Sequence, residues 1–126
     1  MAIYFEKENQ TFYLESKNIT YAFRIHKFGL LNHLYYGKRI PREDLAFSVF
    51  EMERGHNANL PEAGRAESLD SYHNECPTFG RSDYRESMLA FCDYLGVRVV
   101  DLKYVSHEIF KEKPSIDGMP SLRGGE

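Results

Sequence analysis

Tryptophan is absent from this chain of 126 residues, and cysteine occurs only twice, at Cys76 and Cys92. Those two lie too far apart for a C-x-x-C site and offer at most one bridge, which excludes a disulfide framework and leaves two reduced thiols as the expectation. No apolar run approaches the roughly 18 to 20 residues that span a bilayer. The opening residues carry Glu6, Lys7 and Glu8 where a signal peptide needs an apolar core. A cytoplasmic chain without a membrane partner is therefore expected. Charge of one sign is also lacking: 16 basic and 19 acidic residues are interspersed, for a net charge of -3. That pattern sets up no continuous field to gather a polyphosphate and argues against nucleic acid as a partner. The histidines, at positions 26, 33, 56, 73 and 107, show neither H-x-x-x-H nor a cysteine at ligand spacing, so no metal is expected. Gly118 and Gly124-Gly125 lead into no helix, so no phosphate cradle and no nucleotide cofactor are expected.

What the chain has in quantity is aromatic residues, nine Tyr and nine Phe, mostly inside short alternating runs. This is a strand-forming composition. Over residues 19–25, Ile19, Tyr21, Phe23 and Ile25 point one way while Thr20, Ala22 and Arg24 point the other, a period of two. Residues 2–5 and 11–15 make a hairpin around 7–10, and 15–18 supplies a second turn. After Gly29 a further strand runs over 31–36, ended by Gly37-Lys38, and a short apolar run at 45–50 follows Pro41. Periodicity then fails over 51–74, beside Gly55, Asn57, Asn59, Pro61 and Gly64, which reads as one long loop. Structureless loops beyond roughly 12 to 15 residues are uncommon in compact domains and are usually functional or disordered. Order returns with 77–80. Residues 87–94 fit a short helix or a strand, and strand is preferred because a Gly96 turn leads directly into the β-branched run 97–110, its hairpin partner.

The fold class expected is all-β, an antiparallel β-sandwich forming part of a supersandwich, with a long loop near residues 51–74. The length is that of one domain or part of one. Residues 111–126 hold Pro114, Gly118, Pro120, Gly124 and Gly125 and supply no closing strand. A sandwich ending there leaves edges uncovered, the condition under which strands pair with other polypeptide. The expectation is a single β-sandwich domain over 1–126, a truncated amino-terminal domain of a larger protein.

The most informative stretch reads Cys76-Pro-Thr-Phe-Gly-Arg-Ser-Asp-Tyr-Arg85. It is followed by Asp101-Leu-Lys-Tyr104 and by Lys113-Pro and Gly118-Met-Pro120, and preceded by His33-Leu-Tyr-Tyr-Gly-Lys38. These pieces resemble, in order and spacing, the amino-terminal β-sandwich domain of bacterial α-galactosidases of glycoside hydrolase family 36. That family carries H-L-Y-[FY]-G-K, then Y-P-x-[YF]-G-x-x-D-[FY]-R, a D-[FL]-[KR]-[YF] strand and K-P-x-x-x-G-[LM]-P. The resemblance implies a parent enzyme that hydrolyses terminal α-galactosides of the melibiose and raffinose type with retention. It also implies a homo-oligomer in which a loop of one amino-terminal domain approaches a neighbouring barrel. The paired catalytic aspartates of such enzymes stand on a central (β/α)8 barrel that this sequence does not contain. Glu75, Asp83, Glu86, Asp70 and Asp93 could supply a carboxylate pair numerically, but glycoside hydrolysis needs the two at a set separation, and no catalytic residue is assigned.

For binding, Asp83 and Arg85 lie two apart on an extended segment and so face one side. An Asp accepts and an Arg donates in a planar fork, which suits either tying a loop to its neighbours or holding sugar hydroxyls. Tyr84, Phe79 and Tyr72 could offer a stacking face or could pack within the sheet. If the loop approach implied by the resemblance carries over, Glu53, Arg54, Asn57 and Arg65 are its reaching residues. His33 and His107 are expected to be packed or hydrogen-bonded locally. The other readings are a free-standing carbohydrate-binding module, against which the missing tryptophan counts, and a strand-pairing interaction domain.

Overall fold

The computed structural model describes residues 2–42, 45–48, 72–80, 85–112 and 114–120. Four strands, β1 (Ala2–Glu6), β2 (Thr11–Glu15), β3 (Ile19–Ile25) and β4 (Leu31–Lys38), form one antiparallel sheet in sequential order. These are the strands read from the alternating runs, and the turns fall where Gln10 and Gly29 take positive φ of 53° and 81°. β4 runs two residues further than expected. Gly37 does not end it but pairs with Thr20, and the Tyr35 ring folds over it so closely that a Cβ there would lie 2.7 Å from the Tyr35 hydroxyl.

Register gives the two faces of the sheet different jobs. Phe5, Phe12, Phe23 and His33 stand opposite one another on successive strands. Their rings form a ladder, with centroids 4.5 Å apart for Phe5–Phe12 and 4.9 Å for Phe12–Phe23. His107 covers this ladder edge-on, 4.4 Å from Phe5 and 4.7 Å from Phe12. The opposite face carries the core, in which Tyr13, Ala22, Leu34 and Leu45 pack together with Tyr35 and Ile40 against them. A bulge follows His33: Ala22 pairs with Tyr35 and Phe23 with His33, so Leu34 is the extra residue on β4, and both Leu34 and Tyr35 pack at the core beside Ala22. At the edge of the same face the buried Glu15 carboxylate faces Arg39 and Arg42, each at 3.4 Å.

Beyond β4 the structure departs from the strand assignments. In the apolar run 45–50, Ala46–Ser48 form a 3-10 turn; Leu45 is buried while Phe47 is 84% exposed. The hairpin turn at Gly96 is present, with Gly96 at φ 82° and the Asp93 carboxylate accepting from the amides of Leu95 and Val97. Its arms, 87–94 and 97–110, form no ladder. A ladder needs a partner strand along its length, and the described residues touch this segment only at single points. Val100 N donates to Phe79 O at 2.9 Å and Tyr104 N to Gly29 O at 2.7 Å. Of the expected loop 51–74, residues 51–71 lie outside the described residues, while at its end Asn74 forms an isolated antiparallel bridge to Asn32 of β4. The whole is an all-β, sandwich-type arrangement. Among the described residues no helix is long and apolar enough to cross a membrane, and both cysteines are free.

Candidate functional site

The segment 72–80 carries the start of the Cys76 to Arg85 motif, and its place is set by β4. His33 N donates to His73 O at 2.6 Å, and Glu75 N donates to Leu31 O at 2.8 Å, a two-way backbone clasp on the outer edge of the sheet. That clasp turns the Glu75 side chain toward the aromatic face. There its carboxylate accepts hydrogen bonds from the Tyr21 hydroxyl on β3 and from His33 Nδ1 on β4, the latter at 2.6 Å. An ionised carboxylate only accepts, so the His33 proton stands on Nδ1. Burial, followed by the hydrogen bond to Glu75 and the charge of that carboxylate, pushes the Tyr21 hydroxyl well above its ordinary value.

The folded chain thus holds the Tyr21 proton more tightly than the unfolded chain. The resulting stability is complete below about pH 10 and is lost as the pH climbs past it, because the unfolded tyrosine then ionises while the folded one does not. Tyr21→Phe is expected to lower the melting temperature at neutral pH and to flatten its decline on the alkaline side. Thermal melts of both proteins on either side of about pH 10 check this; parallel declines would mean that another group is responsible.

The far end of the motif is tied down separately. Arg85 Nη1 donates to the backbone carbonyl of Tyr72, and Tyr72 is 1% exposed, its ring 4.8 Å from that of His26 and its hydroxyl 3.2 Å from His26 Nε2. Phe28 N donates to His26 Nδ1 at 3.3 Å, which leaves the proton on Nε2 to meet Tyr72. Thr78 adds a third tie, its hydroxyl donating to Val100 O at 2.6 Å. Gly80 completes the packing at φ 119°, where a Cβ would sit 2.7 Å from Val99 Cγ1 and 3.3 Å from Val99 Cα. Gly80→Ala therefore combines backbone strain with overpacking and is expected to cost about 1–3 kcal/mol. Urea denaturation followed by circular dichroism measures it, and an unchanged midpoint would mean that the Val99 segment yields freely.

Of the residues proposed from sequence, Arg85 is half-buried and is seen tying the motif to Tyr72, the loop-pinning role. Asp83, Tyr84, Arg65, Glu53, Arg54 and Asn57 lie outside the described residues. Phe79 leaves its ring exposed, but Tyr72 offers no stacking face, because its ring is consumed against His26. Two of the numerically available carboxylates are also engaged: Glu75 by Tyr21 and His33, Asp93 by its turn amides. The Tyr21–His33–Glu75 cluster is the arrangement that sequence reasoning missed. His33 was expected to be packed or hydrogen-bonded locally; its ring does pack, 5.9 Å from that of Tyr21, but its hydrogen-bond partner lies 42 residues away. His107 does bond locally, to the Tyr104 hydroxyl at 2.7 Å. Such an arrangement can fix a segment and present polar edges; it does not assemble a carboxylate pair.

A family model described as the glycosyl hydrolase family 36 N-terminal domain matches residues 29–126. The bifunctional alpha-galactosidase/sucrose kinase AgaSK of Mediterraneibacter gnavus is 32% identical over 128 residues, spanning 100% of this chain and 14% of that protein. The solved galactosidase domain of AgaSK superposes with a TM-score of 0.87 at 31% identity, covering 98% of this chain and 17% of that one. The GH36 alpha-galactosidase AgaA of Geobacillus stearothermophilus, solved in complex with raffinose, superposes with a TM-score of 0.78 at 28% identity, covering 92% of this chain and 16% of that one. The chain spans only 14% to 17% of the length of the curated bacterial relatives it matches.

Proposed function

Because the chain belongs to the N-terminal domain family of glycosyl hydrolase family 36, we propose that it is the non-catalytic amino-terminal domain of a longer cytoplasmic α-galactosidase. The parent enzyme releases terminal α-linked galactose from sugars of the melibiose and raffinose type. The observation that carries this reading is the superposition of 98% of the chain on the AgaSK galactosidase domain. The raffinose complex of the AgaA enzyme supports the substrate class. The domain's own part is to assemble a homo-oligomer and to shape the substrate pocket.

Exposed apolar side chains support the assembly role. Val97, Val99, Val105, Ile109 and Phe110 are all exposed in large part, Val105 over 89% of its surface, on a segment that forms no ladder among the described residues. Complete burial of a fully exposed apolar side chain is worth roughly 1.5–3 kcal/mol, and about half of that or more is open at each of these, so further polypeptide of the parent chain or of a neighbouring subunit gains by covering them. The same surface supports a second reading, a strand-pairing interaction module without a catalytic parent. Galactose release from raffinose by the longest protein that the gene encodes separates the two. Release is expected; a folded long protein inert on every α-galactoside would favour the interaction module.

A further inference from the structure

Glu15 is a buried carboxylate served by more positive charge than it needs. Its side chain is 5% exposed, and each of its oxygens faces a different guanidinium: Oε2 meets Arg39 Nη2 and Oε1 meets Arg42 Nε, both at 3.4 Å. One guanidinium would balance it. A second costs side-chain freedom and leaves the group with one positive charge in excess. Both arginines follow β4 on a backbone that is fixed from the β3 side. Arg39 N donates to Asn18 O at 2.9 Å, and Ile40 N donates to Thr20 Oγ1 at 3.3 Å. The Arg42 guanidinium also lies over the Tyr4 ring of β1, its Cζ 3.7 Å from the ring centroid. A guanidinium carries five N–H donors, and each of these two turns one nitrogen toward Glu15. About half of each arginine side chain stays in solvent, and no other carboxylate among the described residues comes within 4.0 Å of either. With Glu15, Ile40 and Pro41 the pair lines an open cleft of about 420 Å3, a size that takes a small ligand.

We propose that Arg39 and Arg42, held by Glu15 and Tyr4, form a binding site for a single oxyanion, the carboxylate or phosphate group of a small ligand. Planar guanidinium forks match the paired oxygens of either group. Glu15 and the Tyr4 ring fix the forks before a ligand arrives, which lowers the ordering cost of binding. One positive charge in excess suits one oxyanion and does not suit a polyphosphate, in keeping with the interspersed charge of the whole chain.

The test is titration of the 126-residue chain with sodium phosphate and, separately, with sodium acetate at constant ionic strength. The readout is the NMR shift of the arginine Nε–H groups and of the backbone amides. Saturable shifts in the low-millimolar range, confined to Arg39, Ile40 and Arg42, are expected. Phosphate binding more tightly than acetate assigns a phosphate-bearing ligand; phosphate binding equally or more weakly assigns a carboxylate. Arg39→Gln and Arg42→Gln are each expected to weaken binding about tenfold. Arg42→Lys keeps the charge but loses the fork, and it is expected to weaken binding nearly as much. Shifts that stay linear and spread over Lys17, Lys27 and Lys38 overturn the proposal, as does an Arg42→Lys protein that binds as tightly as the parent. Either result reduces the pair to ordinary surface charge. An absence of shifts also overturns it and leaves the arginines as ties for Glu15. Should Arg42→Gln fail to fold, the comparison of Arg42→Lys with the parent decides the question.

Discussion

Tyr13→Ala is expected to remove most of the stability of the sheet, about 3–5 kcal/mol. Tyr13 lies on β2, which is paired on both sides, and stands in register with Tyr4 and Ala22. It is 1% exposed and packs with Ala22, Leu34 and Leu45, the largest of the four buried side chains in the core of that face. Truncation opens a cavity that a sheet held by ladders on both sides cannot collapse to fill. Small domains have only about 5–15 kcal/mol in reserve, so a loss of this size moves the unfolding midpoint far down. Urea denaturation of the 126-residue chain, followed by far-ultraviolet circular dichroism, reads the effect. Tyr13→Phe, which keeps the ring, is expected to cost much less. A midpoint that barely moves in Tyr13→Ala would place the main core on the Phe5–Phe12–Phe23 face instead.

The parts of this fold legible in the sequence are those that local physics specifies. The alternation in Ile19–Ile25, the hairpin residues between β1 and β2, and the glycine turns at Gly29 and Gly96 are short-range signals, and each corresponds to an element. The bulge at Leu34 was hidden because an inserted residue leaves a run of apolar side chains unchanged while shifting which face they occupy. Residues 97–110 have the composition of a strand but form no ladder among the described residues, since composition records the tendency and not the pairing. At the candidate site the motif itself was legible, and the glycine within it has its reason in Val99. The role of Glu75 was not, because its partners Tyr21 and His33 lie 54 and 42 residues away in sequence. No periodicity carries a contact of that separation.

The largest effect expected of all concerns catalysis, where the account calls for an all-or-none contrast. Glycoside hydrolysis needs two carboxylates flanking the scissile bond, one as acid and one as nucleophile or base. Among the described residues, Glu75 and Asp93 are engaged with protein donors in geometries that serve the fold. On the proposed reading this domain has no turnover of its own. The decisive measurement is hydrolysis of p-nitrophenyl α-galactoside by the 126-residue chain and by the longest protein its gene encodes, assayed side by side. Nitrophenol release by the long protein, with none above buffer from the short one, is the expected result. Turnover by the 126-residue chain alone would contradict the account and make Asp83, Glu75 and Glu86 the first residues to replace.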